Sequence, residues 1–278
     1  MREVVGRALA EDLGVLGDLT AALIPADATV EATIGARAAG VLAGRLSASE
    51  AWAAVDDRMA VTWTAADGDR VGPGDVVAAV TGPLASVLTA ERTVLNLLGH
   101  LSGVATLTRR YADAVGPGAR VRDTRKTTPG LRALEKAAVR AGGGVNHRGS
   151  LSDGILVKDN HLAGLSIPEL VAAAHDRWPG QACEVECDTL DQVRLALDAG
   201  ADMILADNMT PDQVADVVAL VAGRIPVEVS GGVDLTTAAA YAAAGADLIS
   251  VGALTHSAPV LDLGLDLRGP GRPRRPGH

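Results

Sequence analysis

The sequence predicts an α/β protein in which a small N-terminal α+β domain precedes a closed or nearly closed β/α barrel. From residue 119 onward, short apolar runs alternate with Ala-rich helical stretches, a pattern typical of parallel strands joined by right-handed crossovers. The last four runs end at Glu186, Asp207, Ser230 and Gly252, at spacings of 21, 23 and 22 residues. Even spacing favours a barrel over a doubly wound sheet, and 278 residues suffice for both domains.

The first 105 residues combine a helical start with turn-rich segments at 14–18 and 68–75 and with short Val-rich strands such as 75–80. A long helix is predicted from Glu91 to Val115, because leucine and valine recur there at helical spacing and a Gly-Pro-Gly sequence follows. We expect the domain boundary to lie along this helix.

Six strands are predicted in the barrel, at 119–123, 154–158, 182–187, 203–206, 225–229 and 247–251. Gly200 and Gly245 each stand between a helix and the next strand, in a repeated Ala-Gly-Ala-Asp segment. We expect both glycines to end their helices in the left-handed conformation. The segment from about residue 268, rich in Arg, Pro and Gly, is predicted to be disordered.

Composition argues against several classes of protein. The net charge of −9 opposes binding to nucleic acid or acidic membranes, no apolar run is long enough to cross a membrane, and the first residues lack the features of a targeting peptide. We therefore expect a cytoplasmic protein. Cys183 and Cys187 lie on one predicted strand with no further Cys or His ligands nearby, which favours buried free thiols over a disulfide or a metal site.

Charged residues and glycines gather at the predicted C-terminal ends of the barrel strands, where barrels hold their active sites. A single polar strand end would only indicate contact with solvent, whereas six in succession indicate a functional site. The positions are Asp123 with Arg125 and Lys126, then Lys158, Glu186, Asp207, Ser230-Gly231-Gly232 and Gly252.

Lysine usage singles out part of this set. The chain has 22 Arg and only 3 Lys, and Lys126, Lys136 and Lys158 all fall within 33 residues. Because lysine and arginine do not substitute freely where geometry matters, Lys126 and Lys158 are candidate catalytic residues. Lys136 follows Glu135 on a predicted helix, so an ion pair and a direct role both stay open for it.

Cationic side chains also cluster around a flexible triple glycine at 142–144. Arg125, Arg140, His147 and Arg148 lie in this stretch of an otherwise acidic protein. Each buried anionic group of a ligand needs charge-assisted partners, so the set indicates a substrate with several carboxylates or phosphates. A solvated basic helix face would not explain why these residues cluster at a loop.

Glycines after the last two strands predict a phosphate site. Ser230-Gly231-Gly232 and Gly252 resemble the phosphate-binding turns of many barrels, in which backbone N–H groups approach the anion. His256 follows within a turn of this site.

An acidic pair completes the predicted site. Glu186 and Asp207 end neighbouring strands and suit either Mg²⁺ held together with substrate oxygens or the stabilisation of a cationic sugar carbon. Glu184 shares a face with Glu186 by strand alternation, so we expect it to line the barrel interior more deeply.

Seven ordered motifs resemble the quinolinate phosphoribosyltransferase family over roughly residues 10 to 265. The Asp-Thr-Arg-Lys-Thr-Thr-Pro-Gly run is long enough to be highly specific. The motifs are Glu11-Asp12-Leu13-Gly14 with Gly17-Asp18-Leu19-Thr20, Glu91-Arg92-Thr93 through Leu101-Ser102-Gly103-Val104-Ala105-Thr106, Asp123 to Gly130, Asn146-His147-Arg148, Val157-Lys158-Asp159-Asn160-His161, Glu184-Val185-Glu186 and Ser230-Gly231-Gly232.

The resemblance implies an α/β fold with a partly open seven-stranded β/α barrel and an N-terminal α/β sandwich domain. Residues 1–104 would form the sandwich domain, 105–256 the barrel, and 257–278 a C-terminal segment that packs back on the first domain. The seventh strand has no counterpart among the six predicted from the sequence. A homodimer with shared active sites is also implied, and a higher assembly of dimers stays open.

The implied reaction belongs to de novo NAD biosynthesis: quinolinate and phosphoribosyl pyrophosphate, with Mg²⁺, give nicotinate mononucleotide, pyrophosphate and carbon dioxide. The matching motifs also imply residue roles. Arg92 would reach the partner's site, Arg125, His147, Arg148 and Lys158 would hold quinolinate, Lys126 would face the pyrophosphate, Glu186 and Asp207 the ribose and Mg²⁺, and Ser230, Gly231, Gly252 and His256 the sugar phosphate.

Three other functions stay open at this point. A paralogue of the same fold, of the type associated with molybdate transport, would bind another acceptor, although the intact set of Arg125, His147, Arg148 and Lys158 favours quinolinate. A Schiff-base aldolase would use Lys158 at a strand end. A binding barrel without activity would not need both an acidic pair and a cationic set.

Overall fold

The structure, a computed structural model, describes residues 1–268, so the predicted disordered tail lies beyond the described residues except for Arg268. The chain divides into two compact units. The first unit contains 1–107, 129–142 and the chain from Ala258 on, and the second unit contains 108–128 and 143–257. Segment 129–142, expected in the barrel domain, thus groups with the first unit.

Before residue 120 the helices and strands follow one another in no regular order, and from residue 120 onward strands and helices alternate. In chain order they are α1 (Arg2–Leu13), β1 (Thr29–Ala36), β2 (Gly40–Val41), α2 (Arg45–Val55), β3 (Ala60–Trp63), β4 (Arg70–Val71), β5 (Val76–Pro83), α3 (Leu84–Val115), β6 (Arg120–Arg122), α4 (Arg132–Ala141), β7 (Ile155–Val157), α5 (Ile167–Arg177), β8 (Cys183–Cys187), α6 (Leu190–Asp198), β9 (Met203–Asp207), α7 (Pro211–Val221), β10 (Val227–Ser230), α8 (Ala238–Ala243), β11 (Leu248–Ser250), α9 (Ala253–His256) and β12 (Leu263–Arg268).

The first unit is built on a four-stranded antiparallel sheet in the order β12, β1, β5, β3. Its hydrophobic core includes Val5 and Leu9 of α1, Trp52 of α2 and Val80 of β5. Because β12 pairs with β1, the C-terminal segment is part of this unit's sheet.

One of the family-like motifs has a packing role in the first unit. The Ser102 hydroxyl accepts a hydrogen bond from Ala43 N at 3.0 Å and donates to Ala43 O at 3.1 Å. A Cβ atom on Gly103 would overlap the carbonyl oxygen of Pro259 and lie 3.0 Å from its carbonyl carbon. Glycine in the middle of α3 therefore lets the C-terminal segment approach the helix backbone, which offsets its low helix propensity.

The second unit contains a six-stranded parallel sheet in the order β6, β11, β10, β9, β8, β7. The first and last barrel strands, β6 and β11, pair directly, and Val145 makes a parallel bridge to Arg122 on the other side of β6. The ring is therefore open between Val145 and β7. This arrangement confirms the partly open α/β barrel, with the seventh strand reduced to the bridge at Val145.

Local sequence signals account for the regular alternation in the second unit. All six predicted strands are present, and Gly200 and Gly245 adopt φ angles of +84° and +93°, as expected of helix-ending glycines. Three barrel helices begin with a Ser or Thr cap whose partner three residues later is Glu or Gln, and these capping boxes fix each strand-to-helix turn. The pairs are Ser166 with Glu169, Thr189 with Gln192, and Thr210 with Gln213.

The two cysteines are free and buried, as predicted. Burial raises the pKa of Cys183 to about 11 and that of Cys187 to about 12, so neither thiol is poised for reaction. Separately, none of the helices within residues 1–268 has both the length and the apolar character that crossing a bilayer requires.

Candidate active site

Eleven of the twelve predicted site residues lie in the second unit. The twelfth, Arg92, is exposed on α3 in the first unit. Lys136, whose role the sequence left open, and Arg140, which it counted among the clustered cations, lie on α4 in the first unit, where Lys136 is buried.

Two arginines in the second unit stand close enough to repel each other. Burial lowers the pKa of Arg148, and the nearby charge of Arg125 lowers it further. The Arg148 guanidinium donates to Gly154 O at 3.0 Å, while the Nε of Arg125 is buried without a hydrogen-bond partner. A bound anion would satisfy Arg125 and relieve the repulsion, so the arrangement of this pair suits an anionic ligand.

The ring of His147 has a defined tautomer. Its Nδ1 accepts a hydrogen bond from Arg148 N at 2.6 Å, so the proton of the neutral ring lies on Nε2. That Nε2–H faces Glu184 Oε2 at 3.1 Å and Glu228 Oε1 at 3.7 Å. The sequence prediction placed His147 against quinolinate, but in the structure its ring nitrogens contact protein groups.

Charged and polar side chains fill the barrel interior below the strand ends, where aliphatic residues usually pack. We call Arg122, Glu184, Glu228 and Ser250 the polar inner layer. Glu228 is fully buried and accepts hydrogen bonds from the Arg122 guanidinium and the Ser250 hydroxyl. The Arg122 charge also acts on Glu184, so two carboxylates lie near one guanidinium in a site with little solvent.

Burial raises the pKa of both glutamates in this layer. For Glu184 the nearby Arg122 opposes the effect of burial, and for Glu228 repulsion from Glu184 adds to it. Both carboxyl groups therefore hold a proton more readily than exposed carboxyl groups do.

Within residues 1–268, one group of three potential metal ligands lies close together: His147, Glu184 and Glu228. An orphaned, buried Oε1 on Glu184 would suit a cation. The tautomer of His147 argues against one, because its Nε2 carries the proton and cannot also bind a metal. Arg122 already supplies positive charge to both glutamates.

The predicted acidic pair occupies neighbouring strands. The Lys158 ammonium forms an ion pair with Glu186, and His161 Nδ1 accepts a hydrogen bond from Lys158 N at 2.8 Å, which fixes the end of β7. Asp207 lies at the end of β9 beside Ser230 in the sheet register. These two carboxylates fit Mg²⁺ only in combination with oxygens from substrate and water, since Mg²⁺ keeps six oxygen ligands.

The predicted phosphate residues divide into two places. Gly231 has a φ of +88°, and a Cβ there would overlap Asn208 Oδ1 and lie 2.8 Å from Asn208 N. A Cβ on Gly252 would lie 3.0 Å from Lys126 Cδ and 3.1 Å from His256 Nε2. Lys126 and His256 therefore both lie close over the bare backbone of Gly252, where a larger residue would displace one of the two side chains.

Sequence reasoning missed three residues of the polar inner layer. Arg122, Glu228 and Ser250 lie inside predicted strands, whereas the candidate residues were taken from the C-terminal ends of the strands. The alternation that placed Glu184 below Glu186 also places Glu228 two residues before Ser230 and Ser250 two before Gly252. That signal could have identified both.

Comparison with known proteins bears on this site. A family model described as the N-terminal domain of quinolinate phosphoribosyl transferase matches residues 18–102, and one for the C-terminal domain matches residues 104–266. A probable nicotinate-nucleotide pyrophosphorylase [carboxylating] of Bacillus subtilis is 42% identical over 96% of this chain and 93% of its own length. The Mycobacterium leprae enzyme of that name is 44% identical, over 96% of each chain.

Solved structures with a similar fold carry related names. The nicotinate-nucleotide pyrophosphorylase of Francisella tularensis matches with a TM-score of 0.92 at 36% identity, covering 96% of this chain and 95% of the other. NadC of Streptococcus pyogenes matches with a TM-score of 0.90 at 39% identity, covering 96% of both chains.

Gly231→Ala should destabilise the protein more than Gly164→Ala. Gly164 has nearly the same φ, +87°, but has no atom within 4 Å of an added Cβ, so its substitution measures backbone strain alone, about 1 kcal/mol. Gly231→Ala adds the overlap with Asn208, about 1–3 kcal/mol more. Urea unfolding of both variants measures the difference, and equal losses would show that the Asn208 turn yields freely.

Proposed function

The chain belongs to the quinolinate phosphoribosyltransferase family, and on this premise we propose that it catalyses the family reaction in the cytoplasm. Quinolinate and phosphoribosyl pyrophosphate are joined to give nicotinate mononucleotide, pyrophosphate and carbon dioxide, a step of de novo NAD biosynthesis. The observation that carries the proposal is the Arg125–Arg148 pair, in which the Arg125 charge lowers the pKa of Arg148 and the Arg125 Nε is buried without a hydrogen-bond partner.

Quinolinate brings the charge that this pair needs. Its two adjacent carboxylates can accept hydrogen bonds from Arg125 and Arg148, and the Arg125 Nε that is buried without a partner gains an acceptor. Lys158 adds a third cation nearby, since its charge acts on Glu184 together with that of Arg148. His147 contributes by holding Arg148 N rather than by a ring nitrogen aimed at substrate.

The strand-end carboxylates serve the sugar. Departure of pyrophosphate builds positive charge on the ribose carbon, and Glu186 and Asp207 supply negative charge to stabilise it. Mg²⁺, held by these carboxylates with phosphate oxygens, would neutralise the leaving group. The ion pair between Lys158 and Glu186 orients this carboxylate.

Phosphate groups would lie over the glycines. Gly252 has Lys126 and His256 beside it, and the Thr255 hydroxyl donates to Lys126 O at 2.9 Å, which fixes the lysine backbone. Lys126 would face the pyrophosphate, and Ser230, Gly231, Gly252 and His256 would hold the sugar phosphate.

The chemistry requires no protein nucleophile. The quinolinate nitrogen attacks the ribose carbon as pyrophosphate leaves, which makes the ring nitrogen cationic. The bond from the neighbouring ring carbon to its carboxylate then breaks, and the electron pair stays on that carbon beside the positive nitrogen until a proton adds there. Catalysis is thus orientation and charge stabilisation.

We further propose a homodimer in which Arg92 completes the partner's site. Its guanidinium belongs to an exposed residue of α3, and the motif around it is among those that resemble the family.

The purified protein should release pyrophosphate and carbon dioxide only when both quinolinate and phosphoribosyl pyrophosphate are present. Nicotinate should not replace quinolinate, because the absence of one carboxylate leaves buried cations unpaired. Pyrophosphate release measures this for quinolinate and for nicotinate, the matched control, and carboxyl-labelled quinolinate reports the carbon dioxide. Comparable turnover of nicotinate would contradict the assignment.

Lys126→Ala and Lys158→Ala should each lower turnover about a hundredfold or more while the fold survives, since loss of one such contact in a closed site raises the barrier by about 2–4 kcal/mol. Arg194→Ala is the control, because it also removes a cation paired with a carboxylate, Asp191, on the exposed face of α6. Steady-state rates and circular dichroism suffice. Near-normal rates in either lysine variant would refute the roles given to them.

Arg92→Ala and Arg125→Ala chains should each be inactive alone and regain activity when their subunits exchange. A mixed dimer contains one site with both defects and one site with neither, so up to half the wild-type activity per mixed dimer returns. Native mass spectrometry establishes that exchange has occurred. An inactive mixture after proven exchange would mean that Arg92 acts within its own subunit.

A further inference from the structure

Glu228 lies at the centre of the polar inner layer, and none of the steps above uses it. We propose that Glu228 is a positioning residue, which holds the ring of His147 and the guanidinium of Arg122 so that the segment 146–148 presents Arg148 to a substrate carboxylate. The inference rests on the proposed function and deepens it by adding a determinant of quinolinate affinity.

The contacts of Glu228 join three elements of the barrel. Its Oε2 accepts from Arg122 on β6, and its Oε1 accepts from the Ser250 hydroxyl on β11. The same Oε1 lies 3.7 Å from His147 Nε2. A fully buried carboxylate on β10 is thus surrounded by donors from other parts of the ring, which fixes its position.

Two routes lead from Glu228 to the segment that carries Arg148. Through the first, Arg122 Nε lies 3.5 Å from Asn146 O, at the limit of a hydrogen bond. Through the second, the His147 ring stands between Glu228 and Arg148 N, which donates to Nδ1 at 2.6 Å. Residues 146–148 lie outside regular helix and strand, so side-chain contacts of this kind determine where they lie.

Asp123 supports the same segment from another side. It is fully buried and accepts hydrogen bonds from His147 N at 2.8 Å and from Asn146 Nδ2 at 2.5 Å. Because Asp123 holds the backbone, a change at Glu228 should disturb the His147 ring and Arg148 while the segment keeps its place. The effect should therefore appear in ligand affinity more than in folding.

The Glu228→Gln substitution changes the contact with His147 and keeps the hydrogen bond from Arg122. The glutamine carbonyl oxygen can still accept from Arg122, which leaves the amide NH2 in the place of Oε1. Two donors, that NH2 and the Nε2–H of His147, then face each other, whereas the Ser250 hydroxyl can rotate to accept. The ring keeps its contact with Glu184 Oε2 at 3.1 Å but meets a donor in place of the Glu228 oxygen, without any change in side-chain volume.

The test compares Glu228→Gln with Glu135→Gln. Glu135 is also fully buried and pairs with a histidine, His100 Nε2 at 2.8 Å, but lies on α4 in the first unit. We expect Glu228→Gln to raise the KM and the calorimetric Kd for quinolinate about tenfold or more, as loss of support for a charged contact should. The KM for phosphoribosyl pyrophosphate should stay within about twofold, and Glu135→Gln should change neither substrate's KM.

Each other outcome overturns the proposal. An unchanged quinolinate Kd, an equal rise for both substrates, or the same shift in Glu135→Gln would show that Glu228 only supports the fold. If Glu228→Gln does not fold, Ser250→Ala replaces it and should raise the quinolinate Kd a few fold, and an unchanged value there overturns the proposal. Wild-type turnover is measured first, so that failure of the proposed reaction is distinguished from failure of this inference.

Discussion

The pairing of Arg122 with Glu228 inside the barrel is the interaction on which the site depends. Burying a charge is costly unless it is paired and hydrogen-bonded, and this barrel buries two glutamates and one guanidinium where aliphatic side chains would serve stability better. The Arg122 guanidinium and the Ser250 hydroxyl both donate hydrogen bonds to Glu228, which makes the arrangement tolerable. The layer then gives His147 a fixed partner and tautomer.

The strand ends above this layer separate two kinds of charge. Arg125 and Arg148 carry cations that repel each other, while Glu186 and Asp207 carry carboxylates at the ends of β8 and β9. A reaction between an anionic substrate and a second substrate whose reacting carbon becomes cationic matches this separation. Transfer of a phosphoribosyl group to a dicarboxylate has both properties, since positive charge develops on the sugar as pyrophosphate leaves.

Much of the fold could be predicted because short-range signals suffice for it. Buried apolar runs located all six barrel strands, and Gly200 and Gly245 marked helix ends by their need for positive φ. Longer-range packing escaped prediction: α3 begins at Leu84, directly after β5, and 129–142 groups with the first unit. The grouping of 129–142 does not follow from periodicity, because it depends on contacts between segments distant in sequence.

The same limit applies to the site. Polar residues at strand ends are conspicuous in a sequence, so Lys158, Glu186 and Asp207 were found, whereas Glu228 lies inside an apolar run and reads as a core position. Its partners Arg122 and Ser250 lie 106 and 22 residues away along the chain, and only the closed ring brings them together. Strand alternation suggests that Glu228 faces inward but cannot identify its partners.

A crystal structure with quinolinate bound tests the central claim most directly. The account predicts the two quinolinate carboxylates within about 3 Å of the Arg125 and Arg148 guanidinium groups, with the Nδ1 of His147 still on Arg148 N and no His147 nitrogen on the ligand. Quinolinate bound elsewhere, or held by the His147 ring with both arginines free of it, would contradict the account.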